Sequence, residues 1–235
     1  MKANDPIGRN ENIINEFIDQ YSINNQPIET SFRDLLPEIK NIDRYTHLIH
    51  TYPAKLLVHI PYLFLNNKIF SREGDIILDP FNGSGTVLLE AILAKRNAFG
   101  ADANPLARLI SEVKVSKLDT HHLSIILRDT TDYARSLKSS VIPDVINCDF
   151  WFPENAKTQL GKLLAAIETI EDDPIRKFML VSFSNCVRKV SFADQRVSVP
   201  VRLNPKRYGA NSVEHRRIKS RLKQLDNINV FHKFS

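Results

Sequence analysis

Two aspartates and two glycines within a thirty-residue stretch carry the recognisable chemistry of this chain. Asp79 closes a short apolar run, Ile76-Ile77-Leu78, and is followed at once by Pro80-Phe81-Asn82-Gly83-Ser84-Gly85. Asp102 comes 23 residues after Asp79 and closes a second run, Asn97-Ala98-Phe99-Gly100-Ala101. Glycines there permit torsions and a close ligand approach that a Cβ would block. A carboxylate just ahead of the glycines repels a pyrophosphate but suits an ammonium or sulfonium group. An acid at the tip of a second strand, at this spacing, accepts hydrogen bonds from ribose hydroxyls. No Lys-Ser or Lys-Thr follows Gly85, so this is not the phosphate-binding P-loop. Leu88 stands where a dinucleotide fingerprint needs its third glycine.

The elements that must position these residues follow from the pattern. The run before Asp79 reads as a strand, the glycines as a turn, and the apolar-periodic segment Thr86 to Lys95 as a helix. Unpaired N–H groups at the start of that helix face whatever sits in the turn. Strand, turn, helix and second strand, in that order, predict a parallel sheet with its ligand at the carboxyl ends of the strands. After Asp102 a further helix is expected from Leu106 to Lys117, with Asn104 as a loose cap and Pro105 at its first position.

At these residues the chain resembles the amino-group DNA methyltransferases, which make N6-methyladenine or N4-methylcytosine. Asp79-Pro80-Phe81-Asn82-Gly83-Ser84-Gly85-Thr86 is similar to their first motif, and Gly100-Ala101-Asp102-Ala103-Asn104-Pro105 to their second. His50-Thr51-Tyr52-Pro53-Ala54-Lys55-Leu56 resembles the segment that encloses the methionine end of S-adenosylmethionine. The resemblance spans residues 45–113. It implies S-adenosylmethionine as cofactor and a Rossmann-like α/β sandwich, incomplete in this chain alone, with helical additions at both ends. It places Asp79 near the methionine amino group, Gly83, Ser84 and Gly85 beneath the methionine, and Asp102 on the ribose. Tyr52, Pro53, Lys55, Pro80, Phe81, Thr86, Ala103 and Asn104 complete the expected cofactor set. Lys55 is either a partner for the cofactor carboxylate or a solvated lysine. Asp149, followed by Phe150-Trp151-Phe152, is either an adenine-facing acid after a later strand or part of an apolar anchor for the helix from Glu154.

The resemblance also implies a catalytic tetrapeptide, Asp, Asn or Ser followed by Pro-Pro and an aromatic, which binds the target amino group and stacks on a flipped base. No Pro-Pro pair occurs in the sequence, and Phe152-Pro153-Glu154-Asn155 is a poor substitute. No catalytic residue is therefore assigned. The expectation is the cofactor-binding half of a split enzyme, or a truncated one, inactive alone, with a second methyltransferase subunit supplying the missing motif. Rival readings are an RNA guanine-N2 methyltransferase, a non-catalytic subunit that keeps S-adenosylmethionine as a ligand, and a nicotinamide oxidoreductase. The first needs the same absent motif; Pro80, Phe81 and Leu88 disfavour the last.

The remaining sequence sets the frame. A chain of 235 residues, 43% hydrophobic, can bury a sizeable core. No apolar run reaches the length of a membrane span, the first residues lack a signal-peptide core, and two cysteines point to a reducing cytoplasm. His47, His50 and His59 lie close in sequence, but with no supporting Cys or acid they read as caps or lid residues rather than a metal site. Pro53 is expected in the first turn of a helix carrying Leu56, Leu57, Ile60 and Leu63. Three regions result: a helical extension over 1–44, a cofactor core over 45–153, and a basic helical region over 154–235. From residue 201 onward nine Lys or Arg face two acids, a net +7, whereas the whole chain is only +5. Arg202, Lys206, Arg207, Arg216, Arg217, Lys219 and Arg221 are thus candidates for contact with double-stranded DNA.

Overall fold

Asp79 and Asp102 come to adjacent strand ends because two short strands pair in parallel. In the computed structural model, β1 (Ile76–Asp79) and β2 (Asn97–Gly100) run in register, Ile76 beside Asn97 and Asp79 beside Gly100. The helix between them, α4 (Thr86–Leu93), is the crossover that a parallel pair requires. The structure describes residues 6–37, 39, 45–53, 55–197 and 199–234, with side chains from residue 11 onward. Ala54 and the expected boundary at residue 44 lie outside the described residues.

The chain divides into two units, residues 1–116 and 117–235. The first contains α1 (Pro6–Asn24), α2 (Phe32–Leu35), α3 (His59–Leu65), β1, α4, β2 and α5 (Pro105–Val115). Ile14 of α1 packs with Leu36, Val58 and Leu63 in one small core. A second core joins Leu65, Ala91 and Ala94 to Ile77 and Ala98, so α4 covers one face of the strand pair. The other face is uncovered. Ile76, Leu78 and Phe99 are 72%, 68% and 60% exposed, which is unusual for a parallel sheet, normally buried on both faces.

The second unit is helical: α6 (Thr120–Ser136), α7 (Cys148–Trp151), α8 (Glu154–Glu168), α9 (Asp173–Lys189), α10 (Val213–Asp226) and α11 (Val230–Phe234). Its core holds Leu163, Ile167, Met179, Val190, Leu225 and Val230, all fully buried. Side chains close the helix starts: Asp119 caps α6, Asp172 caps α9 and Ser212 caps α10. Because α6 packs on α8, the boundary expected at residue 153 falls inside this unit.

The described residues form a two-stranded β-α-β portion, compatible with the incomplete α/β sandwich expected. Two expectations change. The helix expected from Pro53 starts only at His59, and Lys55, ahead of it, donates to the carbonyls of His47 and His50. Pro61 instead occupies the first turn of α3, where a missing N–H costs nothing. The strand expected before Asp149 is a turn leading into α7, with Asn147 at φ 60° and Ile146 87% exposed.

Candidate functional site

The turn after β1 is fastened at both strand ends. Asp79 Oδ1 accepts from the Phe81 amide at 3.1 Å, the Asn82 amide donates to the Ala101 carbonyl at 2.9 Å, and the Ala101 amide donates to the Asp79 carbonyl at 2.9 Å. Gly83 and Gly85 have φ of 51° and 75°, the left-handed region that glycine enters without strain. Gly85 has a second reason to be glycine: a Cβ there would lie 2.7 Å from Ser111 Cβ and 3.0 Å from Ser111 Cα on α5. At Gly100 a Cβ would meet the Asn82 side chain at 2.8 Å, so its absence lets the turn fold over the tip of β2.

Asp102 joins the two strand tips. One carboxylate oxygen accepts from the Gly83 amide at 2.8 Å and the other from the Asn104 amide at 2.8 Å. These amide donors, Asn104 first and Gly83 second, hold the carboxyl below its usual range. A carboxylate offers about four lone-pair positions, so two remain for a diol. Asn104 caps α5 by accepting from the Leu106 amide at 2.9 Å, and its Nδ2 donates to Tyr52 Oη at 3.2 Å. That bond brings the segment resembling the methionine-enclosing motif onto the second motif. Pro105 follows at the first helical position.

A cleft of about 340 Å³ opens along this turn. Lys55, Leu56, Asp79, Phe81, Asn82, Gly83, Ser84 and Thr86 line it. Eight of the fourteen expected cofactor residues are thereby placed on or beside it, counting Asp102 through its bond to Gly83 and Asn104 through its bond to Asp102. Phe81 is 88% exposed, and Pro80 and Ala103 are also exposed, next to Asp79 and Asp102 respectively. Lys55 lies at the cleft, but its ammonium already donates to two backbone carbonyls, and burial lowers its pKa.

Two charged groups that sequence reasoning passed over lie beneath the turn. Glu90, 1% exposed on α4, meets His47 Nε2 at 2.7 Å. A buried carboxylate needs such a partner, and this contact gives His47 a structural role. Among the described residues no group of His, Cys, Asp and Glu could hold a metal ion. Lys114 is 2% exposed on α5, with its ammonium 3.5 Å from Ser84 Oγ. Burial, reinforced by the charge of Lys55, pushes that ammonium down to about 8. The signal for Lys114 was present: Ala107, Ile110, Ser111 and Lys114 follow the i, i+3, i+4, i+7 spacing of one helix face.

In the second unit Asp149 lies on α7 and pairs with Lys157 of α8, whose pKa is raised by hydrogen bonds to Asp149 and Glu154. The basic candidates divide into two sets. Arg202 is held between the rings of Phe150 and Phe192, 4.7 and 5.0 Å from their centroids, and donates to the Phe150 carbonyl at 2.8 Å. Arg217 bonds Glu214 and Asp194, and Arg221 donates to the Lys189 carbonyl. With Arg196, Arg217 and Arg221 border a cleft of about 420 Å³, where Arg196, its strongest partner, holds Asp194 down at about 2. Lys206, Arg207, Arg216 and Lys219 are exposed and have no ion pair among the described residues.

Residues 9–112 match the model of a DNA methylase family of the N6 and N4 type. The chain is 30% identical over 161 residues to the type II methyltransferase M.MvaI of Kocuria varians, an alignment covering 64% of this chain and 36% of that protein. It is 38% identical over 108 residues to the type II methyltransferase M.MjaII of Methanocaldococcus jannaschii, covering 44% of this chain and 20% of that protein. The chain thus spans about a third of one relative and a fifth of the other. No solved structure matches it.

Proposed function

We propose that this chain belongs to the amino-group DNA methyltransferases, whose members use S-adenosylmethionine, and forms the cofactor-binding part of such an enzyme; the family match over residues 9–112 and the two relatives support this reading. The observation that carries the reading is the Asp102 carboxylate, clamped between the Gly83 and Asn104 amides with lone pairs left for a ribose diol. The residues fit the group. Gly83 leaves the floor of the cleft bare, Asp79 offers a carboxylate to an ammonium, and Phe81 offers an exposed ring beside it.

S-adenosylmethionine, when bound, supplies an electrophilic methyl on a positively charged sulfur. Asp79 would hold its ammonium and Asp102 its ribose hydroxyls, orienting the donor for attack by a target amino nitrogen, which would release its proton to solvent as the methyl is transferred. Accepting a hydrogen bond from that amino group is the work of the Pro-Pro motif, which this sequence lacks. We place the motif on further polypeptide, either a second subunit or the rest of a longer chain. The bare apolar face of β1 and β2 supports this: Ile76, Leu78 and Phe99 suit a covering layer of additional structure. The exposure of Lys206, Arg207, Arg216 and Lys219 supports assigning them to the phosphates of double-stranded DNA.

Transfer of labelled methyl from S-adenosylmethionine to unmethylated genomic DNA tests the reading. The chain alone is expected to be inactive and to gain activity with a completing polypeptide that carries the Pro-Pro motif. Transfer by the lone chain would refute the division of labour.

A further inference from the structure

Lys114 is badly provided for. Its ammonium is a donor of three hydrogen bonds, it is 2% exposed, and among the described residues its one hydrogen-bonding neighbour is Ser84 Oγ at 3.5 Å, the outer limit of such a contact. Among the described residues no carboxylate offsets it. Glu90 is engaged by His47, and the charge acting on Lys114 is that of Lys55, of the same sign. Two lysines and a serine hydroxyl therefore gather at the Ser84 end of the cleft, while Asp79 lines it as a carboxylate.

We infer that Lys114 is a positioning residue for the α-carboxylate of the cofactor, acting through Ser84. An ammonium that donates to Ser84 Oγ occupies one oxygen lone pair and turns the hydroxyl proton away from itself, toward the cleft that Ser84 lines. The cleft then presents a donor backed by a positive charge at one place and the Asp79 carboxylate at another, matching the carboxylate and ammonium of an amino acid. Lys55 adds positive potential there, with two of its three donors on the His47 and His50 carbonyls. A buried charge without a counter-ion among the described residues is explained if its counter-ion arrives with the ligand. Substituting Lys114 by methionine nearly keeps the side-chain length and removes the charge.

The inference rests on the cofactor reading, and the test separates the two. Binding of S-adenosylmethionine and of its decarboxylated form is measured by calorimetry on the full chain, with K114M, S84A and the double variant. The chain is expected to bind S-adenosylmethionine more tightly than the decarboxylated form. K114M should lose roughly tenfold or more in affinity for the first and less than about twofold for the second, as expected of a charge-assisted bond to the carboxylate alone. S84A should behave the same way, and the double variant should lose little more than either alone. Equal losses for both ligands, no loss for either, or additive losses in the double variant would overturn the inference and leave the cofactor reading standing. Failure of the unmodified chain to bind either ligand would overturn both.

Discussion

Replacing Gly85 by alanine should weaken the first unit far more than the same change at Gly83, although both glycines have positive φ. The left-handed backbone costs a non-glycine residue about 1–2 kcal/mol at either position. Only at Gly85 does the new Cβ collide with protein: it would lie 2.7 Å from Ser111 Cβ and 3.0 Å from Ser111 Cα, while at Gly83 the nearest atom is 4.0 Å away. Ser111 belongs to α5, so the collision can be relieved only by moving a helix, at about 1–3 kcal/mol for overpacking. G83A is thus expected to cost about 1–2 kcal/mol and G85A about 2–5 kcal/mol. Hydrogen exchange of the Ala101 amide, bonded to Asp79 across the strand tips, reads the local opening free energy directly. Equal costs for the two substitutions would refute the claim that α5 is seated against the turn.

Four further outcomes follow from the same geometry. Between pH 8 and about 10.5 the unfolded chain keeps a proton on Lys114 that the folded chain has released, so stability should rise with pH by up to about 3 kcal/mol; urea titrations at several pH values should show the rise in the unmodified chain and a flatter profile in K114M. Leu78, 68% exposed, should tolerate glutamate within about 0.5 kcal/mol in the isolated chain, yet the same change should abolish association with the completing polypeptide in a pull-down; unimpaired association would place the partner elsewhere. Substituting Lys206, Arg207, Arg216 and Lys219 together by alanine should weaken DNA binding and flatten its dependence on salt by roughly 0.9 for each phosphate no longer neutralised. R202A should instead destabilise the second unit by about 1 kcal/mol, since its guanidinium is stacked between two rings.

How much was legible depends on how local the determinants are. The strand-turn-helix-strand order, the positive φ of both glycines and the tip positions of Asp79 and Asp102 are local, and they were readable from residue type and spacing. The Asn104 cap was readable for the same reason. The helix expected from Pro53 starts only at His59, and the Lys55 bonds to carbonyls earlier in the chain are contacts that periodicity does not encode. The His47–Glu90 pair joins residues 43 positions apart, and neither has a local marker of its partner. Lys114 was encoded: a lysine on an apolar stripe signals buried charge, but it takes the packing of α5 under Ser84 to show what that charge faces. The strand expected before Asp149 had the apolar residues but no neighbour to pair with among the described residues, so the segment settled as a turn and a short helix.

The most direct test of the central claim is calorimetric titration of the chain with S-adenosylmethionine, alongside Asp102→Ala. One cofactor per chain is expected, with affinity reduced roughly tenfold or more in the variant, because the ribose hydroxyls lose the carboxylate that Gly83 and Asn104 hold in place. Absence of binding, or equal binding by the variant, would contradict it.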